Sequence, residues 1–209
     1  MHMQGIDISC GIAYVERMKN GFNSRKAAQI AAFFCDKEGG LMPVLKLVKL
    51  IYLADREFLA ECGLTISNDL HVSMRHGPVN SVTYDLIGGG IEADEWSSLI
   101  ADKEGHNVTL ARARVDSDDD ELSDAEIDAM NRVWDRFGAM SKYGIRDWTH
   151  LNCPEWEDPN GSSLPIPLER TLRFLGVDNA DEFSKRTGSY QEFRSAISEL
   201  QTTVADRAW

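Results

Sequence analysis

The most continuous apolar pattern in the chain runs over residues 43–63, PVLKLVKLIYLADREFLAECG. At about 100° per residue, Val44, Leu47, Val48, Ile51, Phe58, Leu59 and Cys62 share one broad arc, and Leu45, Leu50 and Leu53 widen it. A helix apolar over most of its circumference has to be wrapped by the rest of the fold. Lys46, Lys49 and Arg56 form a narrow stripe whose charged ends are expected to reach solvent or an acidic partner while their stems cover apolar surface. Asp55 breaks the pattern. The wheel sets its carboxylate inside the apolar arc, where it needs a cation, several donors or a proton. Pro43 suits the first turn, because its missing N–H would be unpaired there, and Gly63 is the expected stop.

Upstream, Ile8, Ile12, Val15 and Met18 recur at helical spacing. Ala27, Ile30, Ala31, Phe34 and Cys35 then make one face of a further helix, which Ser24 would cap and Gly39-Gly40 would end. Downstream, Asn68-Asp69 reads as a turn. Residues 70–76 alternate as in a half-buried strand, with Leu70, Val72 and Met74 one way and His71, Ser73 and Arg75 the other. Gly77-Pro78 breaks it, with Pro78 placed to open the helix PVNSVTYDLI, and the glycines at 88–90 close that helix. Residues 108–115 alternate again and are expected to pair with 70–76 in an antiparallel sheet. Ser123 and Glu126 form a capping box for a helix that buries Ile127, Met130, Val133, Trp134 and Phe137, and IRDWTHL continues helically until Pro154. Residues 167–177 and about 180–200 read as amphipathic helices.

These elements predict a mainly α (α+β) chain: a helical domain around a central buried helix, about 44–62, with a small antiparallel β-sheet, about 70–76 and 108–115. The expected organisation is N-terminal helices over 1–42, a core over 43–157 and a C-terminal helical extension over 158–209 packed on that core.

Three stretches in this order, KLVKLIYLADREFLAECGLTI, MRHGPVNSVTYDLI and THLNCPEW, resemble the Panacea domain, the SocA-like antitoxin domain. The resemblance covers about residues 43–157. It implies a bacterial or phage antitoxin that neutralises a cognate protein toxin by direct contact, with no catalytic residues. For some members of the family it also implies delivery of the toxin to a protease.

Composition changes this picture in three ways. With 209 residues, 43% of them hydrophobic, the chain is long enough for one sizeable core. No apolar run approaches the ~20 residues that cross a bilayer, and MHMQGIDIS has neither the charged nor the apolar region of a secretory signal. No membrane partner is therefore expected. Cys10, Cys35, Cys62 and Cys153 form no CxxC pair; Cys35 and Cys62 sit on apolar faces, which suits reduced, buried thiols and a cytoplasmic location. The net charge of −12 is unevenly spread, +2 over residues 1–60 and −14 over the rest, with thirteen acids against three bases between Glu92 and Asp128. That balance opposes nucleic-acid binding, which needs a basic face to displace counterions. It suits steering towards a basic protein, or a merely solvated surface, with the loop DSDDDEL exposed.

Asp55 anchors the expected site. Its candidate partners are Arg75, His76, Arg146 and His150, which would gather around Gly77 and Pro78 as a groove. One reading is a buried, paired carboxylate that fixes helix packing. The other is a ligand-binding carboxylate, and with His71, His76 and His150 a metal- or ligand-binding hydrolase remains the alternative to an antitoxin, although no HExxH pattern supports a metal. Gly77-Pro78-Val79 is a backbone device whose amides could receive an acidic or carbonyl group. Trp148 and Trp156, near Pro154, are the candidate aromatic anchors of an interface. No cofactor is expected.

Overall fold

The computed structural model describes residues 22–177. The helices expected within residues 1–21 and over 180–200, and Cys10, lie outside the described residues. Within them the chain is mainly helical with small antiparallel sheets.

Helix α1 (Ser24–Lys37) leads through β1 (Leu41–Pro43) into α2 (Val44–Cys62). There follow β2 (His71–Met74), β3 (Gly77–Asn80), α3 (Ser81–Gly88), the single turn α4 (Asp94–Ser97) and β4 (Asn107–Thr109). A 3₁₀ turn (Asp116–Asp119), α5 (Asp124–Phe137), α6 (Lys142–Asn152), β5 (Leu164–Pro165) and α7 (Leu168–Phe174) complete the described fold.

The central helix is where the apolar arc requires it. α1, α3, α5, α6 and α7, together with β1 and β3, all pack on α2, and Leu47, Leu50, Ile51, Tyr52 and Leu59 are at most 1% exposed. Burying each such aliphatic side chain contributes about 1.5–3 kcal/mol, so this helix is the chief source of core stability. Its start differs from expectation. Pro43 ends β1 as the N-cap of α2 rather than sitting in its first turn, and the N–H of Val44 donates to His106 O at 2.9 Å. A proline at a strand's end costs no ladder hydrogen bond. Gly63 ends the helix in the left-handed region (φ +71°), where a Cβ is disfavoured. At α1 the cap is Asn23, whose side chain accepts from Lys26 N at 3.0 Å, and not Ser24.

The sheet pairing is the main correction. Residues 70–76 do not pair with 108–115. β2 pairs with β3 through the two-residue turn Arg75-His76, with Val72 opposite Val79 and Ser73 opposite Pro78, and β5 takes its other edge. β4 pairs instead with β1, Met42 opposite Val108. A two-residue hairpin closes a far shorter loop than the expected pairing would. Pro78 is accordingly in a strand, at the sheet edge where its missing N–H breaks no bond, and the next helix opens at Ser81. The alternation of residues 70–76 also fails as a guide to burial. His71, Val72 and Ser73 are all buried while Leu70 is 47% exposed, because both faces of this short strand are covered.

The capping box of Ser123 and Glu126 forms as expected, and Ser141 caps α6 through Gly144 N. The acidic loop is not simply solvated. Arg112 clamps Asp118, Arg114 pairs with Asp119, and Arg25 with Gln29 holds Asp120. The Arg112 hydrogen bonds hold Asp118 down at about 2. Cys35 and Cys153 are buried, but Cys62 is exposed; burial pushes the Cys35 and Cys153 thiols up to about 12, which leaves them unreactive. No helix among the described residues is long and apolar enough to cross a membrane.

Candidate functional site

Asp55 is 1% exposed, and its carboxylate collects the connection between α2 and the hairpin. Oδ1 accepts from the N–H groups of Ile66 (2.8 Å) and Ser67 (2.9 Å). Oδ2 accepts from the Ser67 hydroxyl at 2.5 Å and from Asn80 Nδ2 at 2.6 Å, and lies 3.1 Å from His71 Nε2. Burial raises its pKa, but hydrogen bonding and attraction from His71, with the Ser67 donors, overcome this and hold it below the ordinary value. The network also explains the start of α3. Asn80 precedes that helix but makes no side-chain cap: its Nδ2 donates to Asp55 and Ser67, and its Oδ1 has no hydrogen-bond partner among the described residues. Asp69 supplies the cap from the preceding loop, accepting from Val82 N, Thr83 N and Thr83 Oγ1 at 2.8–2.9 Å. Asp55 and Asp69 together staple the hairpin and α3 to the central helix.

The three cations of α2 do not form an open stripe. Lys46 is 5% exposed, and its ammonium donates to Glu38 (2.6 Å) and to Gly138 O (2.7 Å). Arg56 donates to Glu155 at 2.6 Å, and the Tyr52 hydroxyl donates a hydrogen bond to the same carboxylate at 2.6 Å. Lys49 is fully buried and donates to Pro78 O at 2.7 Å. Burial pushes its amine down to about 7, with the neighbouring Cys153 acting the other way. Other elements cover the face that carries these three cations, and each reaches a carbonyl or carboxylate there.

Beside Lys49 a cavity of about 430 Å³ opens between the first turns of α2, the hairpin and the start of α6. Val44, Leu45, Val48, Met74 and Val79 make it apolar. Tyr84 and Tyr143, 37% and 54% exposed, stand at its mouth. Its polar lining is basic: Lys49, Arg75, His76, His106, Lys142 and Arg146, with no Asp or Glu. Arg75 and His76 reach it because they form the two-residue turn. Gly77 (φ +95°) brings the backbone close: a Cβ there would meet Thr149 Oγ1 at 2.9 Å, Lys49 Nζ at 3.0 Å and His150 Cδ2 at 3.1 Å.

The expected groove is thus two separate places. Arg75, His76, Gly77, Arg146 and Lys49 line the cavity. Asp55 does not; it is enclosed elsewhere, and Arg75, His76, Arg146 and His150 are not its partners, because the hairpin turn carries residues 75 and 76 away while the strand residues His71 and Asn80 face it. Pro78 contributes its carbonyl to Lys49. His150 stacks on Trp156 with ring centroids 4.3 Å apart. Burial and then the Lys49 and Arg146 charges press its pKa below the ordinary value, and its Nε2 is buried with no partner among the described residues. Trp156 Nε1 donates to Met74 O at 2.9 Å and so locks the hairpin, while Trp148 packs edge-on against Phe137; both are half-buried. Lys46 and Arg56 are tied up inside the fold. Sequence reasoning missed Lys142, Tyr143, Tyr84 and His106 at the cavity and Ser67, Asp69, Asn80 and Glu155 in the networks. Only Glu155, an acid in the apolar run Cys153-Pro154-Glu155-Trp156, carried a local signal.

A buried central helix, a hairpin stapled to it and an adjoining cavity with a basic polar lining make up the candidate site. The family model for the SocA-like antitoxin, Panacea domain, matches residues 47–157, and the chain belongs to that family. No curated protein and no solved structure matches it. The matched span contains both carboxylate networks and nearly all of the cavity lining, with only Val44 and Leu45 ahead of it.

Proposed function

We propose that this chain is a cytoplasmic antitoxin that neutralises a cognate protein toxin stoichiometrically, by direct contact and without chemistry. Membership of the SocA-like antitoxin family over residues 47–157 carries the reading. The docking surface is the face around the hairpin tip: Arg75, His76 and Gly77, with Lys49 and Arg146 behind them and the Trp156–His150 stack supporting the turn. Pro78, Lys46, Arg56, Asp55 and Trp148 contribute by holding that face in place. Residues 43–157 form the functional core. Among the described residues that follow this core, Leu172 packs against Leu59.

Such a protein has two routes, occlusion of the toxin or its delivery to a protease. Co-expression with the product of the neighbouring gene tests the proposal. Rescue of growth and co-purification of the two chains are expected, and failure of both overturns it. A shortened toxin half-life in the rescued cells marks delivery; an unchanged one marks occlusion. Nothing favours the alternative of a hydrolase built on Asp55, whose oxygens are fully engaged by structural donors. Among the described residues no three His, Cys, Asp or Glu side chains are grouped to hold a metal.

A further inference from the structure

The chain carries a net charge of −12, yet the cavity beside α2 is lined by cations and no acid. Arg75 and Lys142 have no carboxylate partner among the described residues, whereas most other cations of the fold do. Both stand at the rim over a floor made by Val44, Val48 and Met74. At the back the Lys49 ammonium has one carbonyl, Pro78 O, as its hydrogen-bond partner, leaving donor capacity unused in a buried place. Arg146, also in the lining, is paired with Asp147, but an apolar floor edged by two cations without a carboxylate partner selects a ligand that is greasy in the middle and anionic at its edge. The cavity, about 430 Å³, is the size of sites that take a large side chain or small molecule.

We infer that this cavity receives an acidic segment of the partner protein, one aromatic or large aliphatic side chain entering the apolar floor and its flanking carboxylates pairing with Arg75 and Lys142. The inference rests on the antitoxin reading for the source of the segment, and it reverses the polarity of recognition suggested by composition. The acid-rich stretch is partly neutralised, by its own Arg112 on Asp118 and Arg114 on Asp119 and by Arg25 of α1 on Asp120, whereas the unpaired side chains at the cavity's edge are cations.

The test uses the full-length, ¹⁵N-labelled protein and three acetylated, amidated pentapeptides: Glu-Glu-Phe-Glu-Glu, its glutamine counterpart Gln-Gln-Phe-Gln-Gln, and Glu-Glu-Ala-Glu-Glu. Adenosine monophosphate serves as the phosphate-bearing competitor. The first peptide is expected to shift the amides of Val48, Met74, Gly77 and Tyr143, with each of the other two at least tenfold weaker. The double variant Arg75→Glu/Lys142→Glu should abolish those shifts while leaving the melting temperature unchanged. Shifts that map elsewhere, equal affinity for the glutamine peptide, no binding by any peptide, or binding of the nucleotide alone would each overturn the inference. If the double variant still neutralises the cognate toxin, the inference fails and the antitoxin reading stands. If the wild-type chain binds the acidic peptide at this cavity but neutralises no neighbouring gene product, the reverse holds.

Discussion

Asp55→Asn separates a carboxylate that holds the fold from one that does chemistry. Asparagine keeps one oxygen, which can still accept from the Ile66 and Ser67 N–H groups. Its amide nitrogen, however, replaces the oxygen now 2.6 Å from Asn80 Nδ2, so two donors face each other. Charge-assisted hydrogen bonds are worth about 1.5–3 kcal/mol, and a stranded buried donor costs about 1–3 kcal/mol. Ser67 Oγ also accepts from Asn80 and softens the loss. The expected destabilisation is about 3 kcal/mol, a large fraction of the roughly 5–15 kcal/mol typical of a domain, and is measured by urea unfolding followed through tryptophan fluorescence at pH 7. The pH dependence has a definite sign. The folded pKa lies below the ordinary 3.8, so the stabilisation is complete above that value and is lost as pH falls through the lower folded one. The variant should lack that part of the acid decline. A loss below about 1 kcal/mol at pH 7, with an acid limb like the wild type's, would refute the structural assignment of Asp55.

Gly77→Ala should cost about 2–4 kcal/mol in the same assay, from the positive φ and the close approach to Thr149, Lys49 and His150; a neutral effect would show that the hairpin relaxes freely. Glu155→Gln removes the charge opposing Arg56 in a fully buried position and should cost about 3 kcal/mol, with little response to added salt; a loss under 1 kcal/mol would sink it. Lys49→Met has the opposite expectation. Because burial holds the amine at about 7 in the fold against 10.5 for the free group, the unfolded chain binds the extra proton. The stability of wild type relative to Lys49→Met should therefore rise by several kcal/mol between pH 7 and about 10.5, with Lys49→Met the more stable of the two at pH 7 and both chains sharing the fall above about pH 9 that the buried Cys35 and Cys153 thiols cause. Parallel pH profiles would show that Lys49 is solvated.

Local pattern alone determined the central helix, its glycine stop, the capping box of α5 and the enclosure of Asp55, because each depends on residues within a few turns of one another. The same pattern matched the family's motifs in order, and the mainly helical class with a small antiparallel sheet followed from it. What the helical wheel misplaced was the stripe of Lys46, Lys49 and Arg56. A wheel shows which residues share a face but not whether another element covers that face, and here α5, α6, the hairpin and Glu155 do. Only the tertiary structure decided the partners. Asp55 is satisfied from residues 66, 67, 71 and 80, all beyond the helix that carries it, and β2 turns back on β3 rather than crossing to residues 108–115 because the short loop closes at lower entropic cost. The cavity belongs to the same category. Arg75 and Lys142 are scattered along an acidic chain, and their unpaired charges form the edge of a site only once helix, hairpin and α6 are folded against each other.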